Sequence, residues 1–470
     1  MATSAPRFLA GCLISVAMLV YAPPQTFASD ILVPEDYPTI QQAIDAASNA
    51  DSILVKAGVY REAIDFSGKT ITVRSRDGMG AATIRHVYGP SIVSFASGEG
   101  PASVLEGFHL TGHKSSGWWE QAAVAIYDAS PTIVSNRITD NGDATYAVGV
   151  HGIYSTGGSP RIIANEIRKN EDYVTGGGGI YASGGAPFIA NNVIEDNWSK
   201  WGDGGGVRCS GGVLANNLII GNSSGGSGGG ISSSSSQLHN NTVLNNADVG
   251  VPSTGGGGIS ANGGTVTHCI VRGNQSLTGQ QQIGGSPVVT YSNVEGGYAG
   301  QGNIDADPLF VDGYRLSGDS LCVDAGKPGF VPANGAERDP DGNSRLLNGD
   351  LEQTMRVDMG AYEFTNVRLS LTGDMVPGGT IVITTSGTPG LSTLMLVGFS
   401  KGLLLIDPFG YLFFDIAGTW GWRPWPSAPS SVPVTLPGTL PPGFRAVFQE
   451  LVMQAPGQAN TSNAELLIIP

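Results

Sequence analysis

Basic residues and cysteines are scarce in this sequence, and each shortage removes a class of function. Lysine and arginine total 24 against 39 acidic residues, a formal charge of −15. Wrapping nucleic acid requires neutralising phosphates, so that role is excluded. The same charge opposes acidic polymers at long range, although salt screens the effect. Of four cysteines, Cys12 lies in the leader-like start, and Cys209, Cys269 and Cys322 are far apart with no C-x-x-C spacing. An odd, scattered set is not a disulfide scaffold, and the usual zinc and redox spacings are missing. Small, buried, apolar thiols are expected instead. Past Tyr21 no apolar run approaches the ~18 residues of a membrane helix. Long stripes of 3.6 period and L-x-x-L-x-L patterns are also missing, which excludes helical and leucine-rich solenoids.

Glycine is abundant: 70 of 470 residues, without the G-x-y period of collagen. An apolar share of 40% leaves enough surface to bury for an ordered chain. The middle of the sequence repeats itself. One unit reads PTIVSNRITDN (131–141), PRIIANEIRKN (160–170), PFIANNVIEDN (187–197), GVLANNLIIGN (212–222), SQLHNNTVLNN (236–246) and GTVTHCIVRGN (264–274). A second alternates with it: HGIYSTGG (151–158), GGIYASGG (178–185), GGVRCSGG (205–212), GGISSSSS (229–236) and GGISANGG (257–264). Short alternating β segments punctuated by glycine and asparagine predict two or three strands per coil, stacked into a right-handed parallel β-helix. Clear repeats run over 124–297.

The register assigns the inside. Ile133, Ile162, Ile189, Leu214, Leu238 and Val266 share one core position, and Ile153, Ile180, Val207, Ile231 and Ile259 another. Two places on, Ser155, Ala182, Cys209, Ser233 and Ala261 must be small and inward. Asn136, Asn165, Asn192, Asn217 and Asn241 form a ladder broken by Cys269 and Ser292, and a second ladder runs from Asn141 to Asn274. Asparagine tolerates left-handed backbone, and stacked amides bond from coil to coil. Repetition on every coil marks these rows as structural.

The segment YPTIQQAIDAASNADSILVKAGVYREAI (37–64) sets Ile40, Ile44 and Ala47 on one face of a short helix, followed by a strand and a turn. Together with the repeats it resembles the entrance of pectin lyase-like β-helix proteins, in which an amphipathic helix covers the first coil. IDADPLFVDGYRLSGDSLCVDAG (304–326), ERDPDGNSR (337–345) and VDMGAYEF (357–364) resemble the closing segments of secreted bacterial members, with Cys322 at a cysteine of that pattern. The resemblance spans residues 31–364 and implies the fold; motifs of pectin methylesterases and polygalacturonases are missing, so it implies no particular chemistry. Asp339-Pro-Asp341-Gly-Asn343 imitates a calcium loop, but Ser344 replaces the glycine and Asp350 the glutamate of an EF-hand. Turn acids paired with Arg338 and Arg345 are the alternative to Ca2+ there.

The two ends read differently. Arg7, the apolar run Phe8–Tyr21 and Thr26-Phe27-Ala28 predict a signal peptide over 1–28, cleaved after Ala28, and hence a secreted or cell-surface protein. The acidic excess lies between Asp30 and Glu363 and nearly vanishes beyond, which marks a boundary at 364/365. The β-helix should therefore fill 29–364, closing over 298–364. Residues 365–470, with about eight β-prone runs between Gly-Pro turns, predict an antiparallel β-sandwich. Trp420, Trp422 and Trp425 there make either a sugar platform or a packed loop.

Loops of variable length follow the second asparagine ladder and should stack at one corner. They carry Trp118, Trp119, Asp143, Tyr173, Trp198 and Trp201 as candidate sugar-binding residues. Carboxylates about 5–9 Å apart serve a glycosidase, and coils about 4.8 Å apart bring acids near that separation. Asp172, Asp196 and Asp203 are the candidate acids, and Lys200 and His151 the candidate bases. The expectation is engagement of an extracellular polysaccharide or cell-surface glycan, with lyase or hydrolase chemistry to be tested and calcium as a candidate ion. The alternative is a non-catalytic adhesive or structural protein with a β-helix spacer.

Overall fold

The computed structural model describes residues 28–365 apart from 87–88, 115–120, 143–148, 251–254, 278, 280, 312 and 347–355; beyond 365 it describes the backbone of the strands. Three long parallel sheets run the length of the first body, of 11, 10 and 9 strands. The path of one coil shows the plan. Thr132–Val134 lies in the first sheet, Arg137–Thr139 in the second and Val150–Thr156 in the third, before Arg161–Ile163 returns to the first. A fourth ladder, which the repeat pattern does not announce, stacks Glu171–Asp172, Trp198–Ser199, Ser223–Ser224 and Ala247–Asp248 between the second and third sheets.

The core rows are in the expected register. Ile133 pairs with Ile162, Ile162 with Ile189 and Ile189 with Leu214, all with no exposed surface. Ile153, Ile180, Val207, Ile231 and Ile259 form a second such column, with the small residues two places on buried beside it. Each large aliphatic side chain so buried contributes about 1.5–3 kcal/mol. The asparagine ladders hold the corners. Asn197 Oδ1 accepts from the Asn170 backbone N–H (3.0 Å) and Nδ2 (2.9 Å), while its Nδ2 donates to Ile167 O (2.9 Å) and Asn222 Oδ1 (3.0 Å).

Two details differ from the sequence reading. The left-handed residue is the one before each ladder asparagine: Ser135, Ala164, Asn191, Asn216 and Asn240 in one corner, Asp140, Lys169, Asp196 and Asn245 in the other. The ladder side chain itself must turn inward, so its neighbour absorbs the bend. Nor does the first ladder stop at its breaks: Asn241 N–H meets Cys269 Sγ (3.4 Å), Cys269 N–H donates to Ser292 Oγ (3.1 Å), and Ser292 N–H to Asn303 Oδ1 (3.0 Å). Thiol, hydroxyl and amide serve the same acceptor role. The paired glycines of the second repeat have steric causes. A Cβ on Gly205 would sit 2.1 Å from Ser223 O, and one on Gly206 would press on the Asn222 amide.

The entrance helix is Ile40–Ala46, with Thr39 Oγ1 accepting from Gln42 N–H. Ile40, Ala43 and Ile44 are buried over the first coil, and the Lys69 ammonium caps the carbonyls of Ile44, Asp45 and Ala47. The closing segment packs back along the coils: Asn240 Nδ2 donates to Asp358 O, and Asn216 Nδ2 to Arg338 O. Arg345 is buried there against Glu363 (3.0 Å). The turn acids take several partners. Asp341 binds Arg315 with both oxygens, Arg338 donates to Gly342 O, and Asp339 accepts from Asn343 and Glu363 N–H. Beyond 366 the strands pair antiparallel: Val367–Gly373 with Thr380–Gly387, Ser392–Gly398 with Gly421–Trp425 and Arg445–Ala455, and the last of these with Gln458–Ile468. Trp422 and Trp425 lie in the strand Gly421–Trp425; Trp420 is outside the described residues.

Candidate functional site

The loops after the second ladder begin on the fourth sheet, whose two-residue strands turn alternate residues inward. Asp172, Ser199, Ser224 and Asp248 are therefore buried, and Trp198 opposite Glu171 is half-buried on the outer side. One residue further, Tyr173 and Lys200 stand in adjacent coils. Lys200 Nζ donates to the Tyr173 hydroxyl (2.9 Å) and lies 4.3 Å from the centre of its ring. That ammonium holds the Tyr173 phenol below its ordinary range. The Trp201 ring is 5.9 Å from the same ammonium and 61% exposed. In the next coil Gly225 allows backbone to close over Lys200 O, since a Cβ would come within 1.8 Å of it. No side chain from that position covers the indole.

The outer face of the third sheet adjoins these loops. Ala125, Tyr154, Tyr181, Arg208, Ser232 and Ser260 succeed one another outward. The Tyr154 and Tyr181 rings stack at 4.9 Å and 10°, so they spend their inner faces on each other. Arg208 lies 5.9 Å from the Tyr181 ring and donates to Thr175 O. Tyr181, Asp203, Arg208, Ser232, Ser234 and Asn262 enclose a shallow depression of about 260 Å³.

The sequence candidates thus separate. Tyr173, Lys200 and Trp201 come together, with Asp203 in the wall of the neighbouring depression. Asp203 Oδ1 also accepts from Ser227 N–H (2.8 Å). Asp196 stands exposed on a left-handed corner, where Asn245 stands two coils on, away from Asp172 inside the fourth sheet. His151 has no exposed surface and Asp172 only 3%, so neither faces a polymer; the two side chains approach each other to 3.6 Å. Trp118, Trp119 and Asp143 lie outside the described residues. Tyr154 and Tyr181 were missed, although strand alternation places the residue after each core isoleucine outside. Among the described residues no cluster of histidine, cysteine and acid side chains is placed to hold a metal. No helix there is long and apolar enough to cross a membrane.

A family model described as a right-handed β-helix region matches residues 122–295. The first body is accordingly a right-handed parallel β-helix, and no specific catalytic family is matched. Among solved structures, pectate lyase Pel9A is 13% identical with a TM-score of 0.38, over 72% of this chain and 97% of that one. The PL6-family alginate lyase AlyGC is 11% identical with a TM-score of 0.29, over 62% of this chain and 41% of the other. No curated protein matches the chain.

Proposed function

We propose that this protein binds an extracellular polysaccharide along the corner where Tyr173, Lys200 and Trp201 meet the outer face of the third sheet. The observation that carries the reading is the exposed Trp201 indole beside a loop whose next position, Gly225, holds no side chain. An uncovered ring face next to bare backbone gives a sugar both a stacking surface and room to lie flat. Lys200, Arg208 and Asp203 supply charged partners for its hydroxyl or acidic groups. Secretion through a leader over 1–28, and a β-sandwich made by the strands after 365 that attaches the protein to its surroundings, complete the proposal.

Turnover, if the bound polymer is cleaved, runs through the charged groups on that face. Incubation with neutral, uronic-acid and sulfated polysaccharides, with calcium or a chelator, separates the outcomes. Absorbance gain with new reducing ends marks a lyase, and new ends alone a hydrolase. Binding without either leaves an adhesin. The spacer reading draws its support from the stacked Tyr154–Tyr181 pair and the serine wall after Arg208, which enclose only a shallow depression. Absence of retention on every polymer by the folded protein decides for it.

A further inference from the structure

Behind the proposed binding corner lies a buried group of polar side chains that the binding reading leaves unused. Three consecutive residues of the loop carrying Tyr173 are fastened on their inner side to His151 and Asp172. His151 Nδ1 meets Gly177 O at 2.9 Å, and Thr175 Oγ1 lies 3.1 Å from His151 Nε2 and 3.3 Å from Asp172 Oδ1. Asp172 Oδ2 accepts from Gly176 N–H at 2.7 Å and from Ser199 Oγ at 2.9 Å. His151 Nε2 and Asp172 Oδ1 are 3.6 Å apart.

The donor inventory says which protonation state this geometry suits. A carbonyl only accepts, so Nδ1 carries a proton. With a neutral ring, Nε2 is an acceptor, and the single Thr175 hydroxyl proton is contested by Nε2 and Asp172 Oδ1. With an imidazolium, Nε2–H donates to Thr175 Oγ1, which donates to Asp172 Oδ1, and each of these contacts is a donor facing an acceptor. The buried carboxylate also gains a countercharge. Among the described residues, His151 is faced by Tyr154 on its own strand (5.1 Å between rings), by Tyr181 on the next (5.7 Å) and by Asp172 on the fourth sheet, and the Arg208 guanidinium binds the outer side of the loop at Thr175 O.

We propose that His151 and Asp172 form a proton-linked latch that seats the loop 173–177, and with it Tyr173 and the Arg208 guanidinium, at the polysaccharide corner. The binding part of this inference rests on the polysaccharide reading; the latch itself rests on geometry alone. The loop is held on the acid side of the His151 titration and released as pH rises through it. The polysaccharide is then gripped in mildly acidic surroundings and loosened in alkaline ones.

The full chain has six histidines, few enough to assign the labelled rings by single substitutions. Histidine NMR from about pH 5 to about pH 9 should show both His151 nitrogens protonated on the acid side, and amide protection of Gly176 and Gly177 falling about tenfold as the ring deprotonates. The substitution Asp172→Asn keeps an acceptor for Gly176 N–H but removes the charge; its ring should be neutral throughout and its loop protection low and independent of pH. A wild-type His151 that stays neutral over the whole range, or protection that ignores its titration, overturns the latch, and this holds even where the variant does not fold. Retention on polysaccharide gels separates the two proposals. A loop that titrates in a protein no polymer retains keeps the latch and sinks the binding site. Retention with no pH response and a static loop does the reverse.

Discussion

Adjacent residues of this chain answer to different constraints. Asn197 is fully buried and its side chain makes four hydrogen bonds to the two neighbouring coils, so Asn197→Ala strands donors and acceptors on both sides. The expected loss is about 3–5 kcal/mol, read as a lower midpoint in guanidinium unfolding. Asp196, one residue earlier, has a φ of 54° and an exposed side chain. Glycine removes that backbone strain, as Gly221 does in the next coil, so Asp196→Gly should change stability by no more than about 0.5 kcal/mol. Equal losses from the two substitutions would contradict the assignment of ladder and bend. Sequence alone showed the ladders, because a residue recurring on every coil has one contact to make. It did not show which residue takes the left-handed bend, since asparagine suits both roles and several corners read Asn-Asn.

Among the elements, the closing segment is built most precariously. Arg345, Glu363, Asp358 and Asp339 are buried together, three carboxyls around one guanidinium. Burial raises Asp339 and Asp358 to about 6, and Glu363 well above its ordinary range. A carboxyl raised on folding contributes stability that is complete below its unfolded value, about 4, and is lost as pH climbs through the folded one. Amide protection of Met359, bonded to Cys322 O, should therefore be greater near pH 5 than near pH 7.5, by an amount on the order of 2 kcal/mol. Asp358→Asn should shrink that difference; a segment more protected at the higher pH would show that Arg345 governs the cluster instead. The fourth sheet teaches a related lesson about reading sequence. Its strands are two residues long and sit inside what reads as loop, so nothing in the alternation reveals that Asp172 turns inward while Tyr173, next to it, turns out.

On the scale of the molecule, repetition explains why the architecture was legible and the site was not. The body is visible in a single column: Ile153, Ile180 and Val207 recur because the same hole recurs above and below each. The loops escape that rule, and their chemistry depends on side-chain direction. Trp198 and Trp201 sit three residues apart, yet one is half-buried on the fourth sheet and the other exposed. Asp172, Asp196 and Asp203 looked like interchangeable acids in adjacent coils, and fold into a latch, a corner and a wall. The central claim concerns that exposed indole and is tested most directly by affinity electrophoresis of the full chain through gels of neutral, uronic-acid and sulfated polysaccharides. The account predicts retardation by at least one polymer, weakened about tenfold by Trp201→Ala with the fold intact. Retardation that the substitution leaves unchanged, or a folded wild-type protein that no polymer slows, contradicts it.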